Sequence, residues 1–343
     1  MESLYPIKVL FVDLVMGQAL MIRRSDITLL DPLLKVKGLK VYYFSRSSIV
    51  KAVDDICLEL FHNGSIGLAG ESGCGKTTLG TALLRSIPSP GRIVEGSIIL
   101  DGKDISTISD RDFDRLIRWK KVAMVFQGAM NSLTPVYTVG KQMKEILDEH
   151  LFKGNVSNTI SESLSQVLLD DSIVGKYPHE LSGGQKQRII IAMALLLKPQ
   201  ILIADEPTTS LDVIVQAQVI NLFKRLKKNG LSIIFISHDL SVISELVETV
   251  GIMYAGQLVE LGNTREVYSN PKHPYTQKLI TTIPRIKDKN NSLQFLKGKP
   301  PDMADLKKGC RFLDRCSFSM EICNKDPPFF EYENVKVRCW LYE

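Results

Sequence analysis

The sequence predicts an α/β fold with a mainly parallel sheet, an antiparallel β subdomain, a helical insert and a cysteine-containing C-terminal extension. Three features carry that prediction. Short, largely apolar strand-like runs at residues 65–69, 122–126, 201–204 and 232–236 alternate with helical patterns at 77–87, 183–197 and 214–228, which implies parallel strands covered on both faces. Residues 33–61 instead alternate apolar and polar (Leu39, Val41, Tyr43, then Val53, Ile56, Leu58, Leu60), the period of antiparallel strands with one buried face. Between these blocks, residues 128–180 turn polar, with helix-like stretches at 142–150 and 159–169.

In chain order, residues 1–32 show no clean period and end at Asp31-Pro32, so they form an N-terminal extension of unassigned role. The main domain spans 33–269, with the helical insert at about 128–182. Residues 250–261 read as a hairpin turning at Ala255-Gly256. Beyond Asn270-Pro271 the composition shifts to Pro, Lys and Cys, which sets off a C-terminal region at 270–343.

With 343 residues, 44% of them hydrophobic and 24% charged, the chain can bury a sizeable core, which excludes wholesale disorder. A net charge of +5 is too small on this length to announce nucleic acid. The apolar stretch 7–22 is broken by Asp13, Gly17 and Gln18 and is shorter than the roughly 20 residues a membrane span needs. No basic segment precedes it as in a signal peptide. The expectation is a soluble cytoplasmic chain whose membrane-spanning partners, if any, are other polypeptides.

Gly70-Glu71-Ser72-Gly73-Cys74-Gly75-Lys76-Thr77-Thr78 matches G-x-x-x-x-G-K-[ST] between a strand and a helix. Such a loop wraps backbone N–H groups around phosphates and adds a helix N-terminus, while Lys76 supplies a charge to the outer phosphates and Thr77 a hydroxyl to Mg²⁺. The chain is therefore expected to bind a nucleoside triphosphate, with the α/β region as a P-loop ATPase core. Asp205 and Glu206 end the apolar run 201–204, where open parallel sheets place ligands; Asp205 suits Mg²⁺, and Glu206 suits activation of the attacking water. Leu181-Ser182-Gly183-Gly184-Gln185 opens a long apolar helix, with Ser182 as N-cap and two glycines leaving the amides accessible.

These motifs together resemble the ATP-binding cassette (ABC) ATPases, over most of the chain. The resemblance implies that Ser182, Gly183, Gly184 and Gln185 contact ATP, that Gln127 contacts Mg²⁺ and the attacking water, and that His238 senses the γ-phosphate. It also makes Ser210-Leu211-Asp212 a D-loop and Tyr43 the aromatic that stacks on adenine, with Tyr42 or Phe44 as alternatives. Two such domains would pack head to tail, each ATP lying between Lys76 of one chain and Ser182 of a second ABC ATPase subunit, expected to be a different chain.

The C-terminal region narrows the resemblance to the oligopeptide and dipeptide importers, through His273-Pro274-Tyr275-Thr276-Gln277, residues 279–284, and the cysteines Cys310, Cys316, Cys323 and Cys339. The run Gln127-Gly128-Ala129-Met130-Asn131 is similar too, although Gly128-Ala129 stands where Asp-Pro is expected. The resemblance implies import of peptides, oligosaccharides or metal chelates at the cytoplasmic face of the membrane. It implies two transmembrane permease subunits, an extracytoplasmic solute-binding protein and a 4Fe–4S cluster on the four cysteines. The cysteine spacing itself leaves zinc, disulfides or free thiols open. Arg311, Arg315 and Arg338, adjacent to cysteines, are expected to lower thiol pKa values. The alternative, an ABC ATPase acting on nucleic acid or ribosomes, is disfavoured by the compact insert and weak basic character.

Overall fold

The structure is a computed structural model describing residues 31–209, 211–281 and 298–343. The extension over 1–32, apart from its last two residues, lies outside the described residues, as do Ser210 and residues 282–284. Strands β1 (Leu34–Phe44) and β2 (Ile49–Leu60) form the expected antiparallel hairpin. Strand β3 (Ser65–Ala69) leads through the glycine loop into α1 (Lys76–Leu83). The helix stops short of the expected residue 87 because Arg85 turns into the left-handed region (φ 49°).

Residues 91–121 carry elements that the sequence pattern did not disclose: β4 (Gly91–Leu100), β5 (Lys103–Asp104) and α2 (Asp110–Leu116). Strand β4 is largely exposed over its first half and so lacks a clean alternation. It completes a four-stranded antiparallel sheet in the order β2-β1-β4-β5.

After β6 (Val122–Val125) come the insert helices α3 (Val139–Glu149) and α4 (Val156–Gln166), capped by Thr138 and Asn155. Then follow α5 (Gly183–Leu195), β7 (Ile201–Asp205), α6 (Val213–Lys228), β8 (Ser232–Ile236), α7 (Leu240–Leu246), β9 (Thr249–Tyr254), β10 (Gln257–Asn263), α8 (Thr264–Ser269) and α9 (Pro274–Thr281). Ala255 and Gly256, both at positive φ (46° and 84°), make the tight β9–β10 turn.

Strands β9, β3, β8, β7 and β6 lie parallel in that order, and every residue of β3, β7 and β8 is buried. The period of two then divides the core. Ile201, Ile203, Ile234 and Ile236 join the antiparallel sheet and α1 on one face. Leu202, Ala204, Ile233 and Phe235 join the insert, α5 and α6 on the other. The C-terminal region adds β11 (Phe330–Tyr332) and β12 (Val335–Val337), with β12 antiparallel to β10, so it continues the main sheet and covers an edge. Phe312, almost wholly buried, packs against Tyr254 and Tyr275 at 5.2 and 5.5 Å. Truncating such a ring costs about 3–5 kcal/mol.

Candidate nucleotide-binding and hydrolysis site

The loop between β3 and α1 needs its glycines. A Cβ on Gly75 (φ 105°) would lie 2.0 Å from the Ala52 carbonyl oxygen, and one on Gly70 (φ 150°) 2.2 Å from that of Met253. Ser72 and Gly73 are exposed at the loop's crest, and Thr78 lies in the first turn of α1. No side chain caps α1 and no acid occupies its first turn, so its leading amides face outward for an anion. The buried Lys76 ammonium donates to the carbonyls of Gly70 (2.7 Å) and Glu71 (3.0 Å). Cys74 is buried, and burial pushes its thiol pKa up, keeping it neutral beside this cation.

Strand β7 delivers the carboxylates. Asp205 is fully buried, and neither of its oxygens completes a hydrogen bond. Burial raises its pKa, while the Thr77 hydroxyl close by pulls the other way. A buried carboxylate without partners next to a threonine hydroxyl fits a hard divalent cation. Mg²⁺ there would neutralise phosphate charge, with Thr77 and Asp205 as the holding side chains.

Glu206 follows in a left-handed conformation (φ 46°), a strained state for a non-glycine residue, fixed by its N–H donating to the Ile236 carbonyl (2.9 Å). Its Oε2 accepts from Gln127 Nε2 and from Thr209 Oγ1, both at 3.0 Å, and its Oε1 lies 3.1 Å from His238 Nδ1. The ends of β6, β7 and β8 thus bring Gln127, Glu206 and His238 into one cluster. Thr209 is a member that sequence reasoning missed. The available signal was a hydroxyl three residues after the carboxylate, where the turn closed by Thr209 N–H on the Glu206 carbonyl returns it.

The second glycine motif is built for itself. Ser182 Oγ accepts from Gln185 N–H (3.3 Å) while Gln185 Oε1 accepts from Ser182 N–H (3.0 Å), a reciprocal capping box that starts α5. Gly183 is exposed, and a Cβ on Gly184 would lie 2.7 Å from Val215 Cγ1, so α5 and α6 pack too closely for any other residue. Asp212 caps α6 by accepting from Val215 N–H (2.9 Å). None of these hydrogen bonds reaches the phosphate loop. Of the three candidate aromatics, Tyr42 donates to Asp54 (2.5 Å) and Phe44 lies under the Arg92 guanidinium (4.3 Å). The Tyr43 ring lies against Gly91, where a Cβ would approach it to 2.6 Å.

The C-terminal cysteines correct one expectation. No disulfide joins any of the four, and burial raises the pKa of Cys316 and Cys339 and pushes Cys310 up to about 11, with the neighbouring thiols adding to that rise. Arg311, Arg315 and Arg338 do not activate them, because each guanidinium is engaged by a carboxylate of the main domain: Asp54, Glu71 and Asp55 respectively. Among the described residues no group of three or more His, Cys, Asp or Glu side chains could hold a metal ion, so the iron–sulfur or zinc set expected there is not displayed as a ready-made site. Among the same residues no helix is long and apolar enough to cross a membrane.

Comparison with known proteins agrees with this geometry. Residues 53–209 match the ABC transporter family, and residues 259–323 match the C-terminal region of oligopeptide/dipeptide transporters. The chain is 39% identical to the dipeptide transport ATP-binding protein DppD of Caldanaerobacter subterraneus subsp. tengcongensis, over 91% of this chain and 97% of that one. It is 40% identical to the oligopeptide transport ATP-binding protein AppD of Bacillus subtilis, over 92% of this chain and 98% of that one. A solved dimeric post-hydrolysis ATP-binding cassette bound to ADP and Pi superposes with a TM-score of 0.59 at 25% identity, covering 68% of this chain and 99% of that one. A phosphate loop, a carboxylate cluster at the strand ends and a capped glycine helix, continued by a matching C-terminal region, place this chain in the ABC transporter family, among its oligopeptide/dipeptide transport ATP-binding proteins.

Proposed function

We propose that this chain hydrolyses ATP to drive peptide import across the cytoplasmic membrane. The observation that carries the reading is Glu206, held at three points by Gln127, Thr209 and His238, next to the unpartnered Asp205. Glu206 acts as the base for the attacking water, and Gln127 and His238 orient it. Lys76 and the amides of residues 70–78 bind the triphosphate, and Tyr43 stacks on the base.

Ser182, Gly183, Gly184, Gln185 and Asp212 serve the ATP of a second, different cassette subunit, which explains a glycine helix whose capping box is closed within itself. The cassette at 33–269 with its insert at 128–182 is then the motor, and 270–343 its importer-specific extension. A cleft of about 630 Å³ beside the insert, lined by Phe126, Leu133, Gln142, Ile146, His150 and Met193, receives the permease subunits. Gln142 fixes its rim by hydrogen-bonding the backbone of Thr134 and Tyr137. Two permease chains and an extracytoplasmic solute-binding protein complete the assembly, which puts this chain on the cytoplasmic face as a peripheral subunit. The iron–sulfur cluster stays part of the proposal on one ground: Cys316, Cys323 and Cys339 lie close enough to Cys310 to add to the rise in its thiol pKa.

The test is affinity isolation of the full chain from membranes, with the co-purifying chains reconstituted in vesicles. Labelled di- to hexapeptides should enter on ATP addition, and Glu206→Gln should abolish entry. Co-isolation with ribosomes or nucleic acid, with no multi-span chain present, overturns the reading.

A further inference from the structure

Every polar group of Glu71, the second residue of the phosphate loop, is engaged. Its carbonyl accepts from Lys76, and its N–H donates to the Tyr275 hydroxyl at 2.9 Å. Its carboxylate takes a two-pronged contact from Arg315, Nη1 to Oε2 at 2.7 Å and Nη2 to Oε1 at 3.0 Å. Two of these three partners come from the C-terminal region. Arg315 is itself anchored: its side chain is 5% exposed, Nη1 also meets the Tyr254 hydroxyl (3.2 Å), and its carbonyl accepts from Lys278 (2.8 Å). The guanidinium lies over the rings of Tyr254 and Phe312 at 5.6 and 5.8 Å. Arg338 makes a different contact, ending on Asp55 in β2.

We propose that Arg315 and Tyr275 are positioning residues for ATP binding, acting through Glu71. A carboxylate one residue into a phosphate-binding loop repels the triphosphate and competes for Lys76. Paired with Arg315 it does neither, and the Tyr275 hydroxyl pins the adjoining amide. Docking of the C-terminal region thereby sets the loop's charge as well as its shape.

The inference rests on the ATP-binding role proposed above, and a fluorescent ATP analogue titrated into the full-length wild-type chain with Mg²⁺ checks that role separately. Arg315→Gln should then raise the nucleotide Kd and the KM for ATP about tenfold while kcat at saturating ATP changes less than roughly twofold. Adding Glu71→Gln should restore most of the affinity, because the unpaired charge is gone, and Arg315→Lys should fall between. Arg338→Gln, which loosens the same region without touching the loop, should leave Kd unchanged. Should Arg315→Gln fail to fold, Tyr275→Phe carries the test, since it keeps the buried ring and removes only the acceptor of the Glu71 amide. An unchanged Kd in Arg315→Gln or, failing that, in Tyr275→Phe overturns the inference, as does equal weakening by Arg338→Gln or absence of rescue by Glu71→Gln. Each of those outcomes makes the ion pair a mere fastener.

Discussion

Replacing Glu206 by Gln tests the hydrolysis site most directly, because the structure predicts what stays as well as what goes. Gln Oε1 can take the place of Oε2 and accept from Gln127 and Thr209, while Gln Nε2 can take the place of Oε1 and donate to His238 Nδ1. The hydrogen bond from residue 206 N–H to Ile236, which holds the left-handed turn, is backbone and unaffected. The phosphate loop is untouched, so nucleotide affinity should stay within roughly twofold of wild type. What disappears is the negative charge that draws a proton from water. General-base catalysis is worth about 10²–10⁴-fold, or about 3–5 kcal/mol of barrier at 1.36 kcal/mol per tenfold. Phosphate release gives kcat, analogue titration gives Kd, and size exclusion with ATP and the partner subunit reports pairing, which should persist in the variant. A kcat within fivefold of wild type, or a loss explained by Kd alone, would refute the assignment of Glu206 as base.

Three further predictions follow from single contacts. Burial raises the Asp205 pKa above its unfolded value, so the native state is penalised as pH rises through that folded pKa; Asp205→Asn should raise the melting temperature of the nucleotide-free chain at pH 7 by about 2 °C or more and abolish the extra stabilisation by Mg²⁺ with ATP, and a lowered melting temperature counts against it. Gly75→Ala should cost roughly 2–4 kcal/mol and remove ATP binding, since its Cβ would meet the Ala52 carbonyl, and urea titration of a variant as stable as wild type contradicts this. His273 is fully buried and burial lowers its pKa to about 3, so below about 6.5 the unfolded chain takes up a proton that the native state refuses. Stability should fall by about 2 kcal/mol between pH 7 and pH 5, and His273→Asn should flatten that slope in denaturant titrations; an unaltered slope removes His273 as its source.

Much of the site was legible because its information is local. The phosphate loop, the Ser182–Gln185 capping box and the Ala255-Gly256 turn are each decided within a few residues, by backbone amides and φ angles that particular side chains allow. Strands buried on both faces announce themselves as continuous apolar runs, which fixed the parallel sheet and put Asp205 and Glu206 at its ends. Strand β4 and helix α2 were illegible for the opposite reason: half-exposed and mixed in composition, they carry no period. Thr209 was missed because its role depends on a turn geometry that Pro207 and Thr208 give no name to.

The sequence by itself therefore determined the family, the parallel core and the phosphate-loop motif. Only the tertiary structure decided what the C-terminal arginines are for. Adjacency suggested that Arg311, Arg315 and Arg338 serve the cysteines beside them, yet each reaches a carboxylate more than 240 positions away in the chain. Ion pairs have no period and no preferred spacing. Their partners are selected when β12 adds to β10 and seats the extension against β2 and the phosphate loop, a choice made by sheet order and burial.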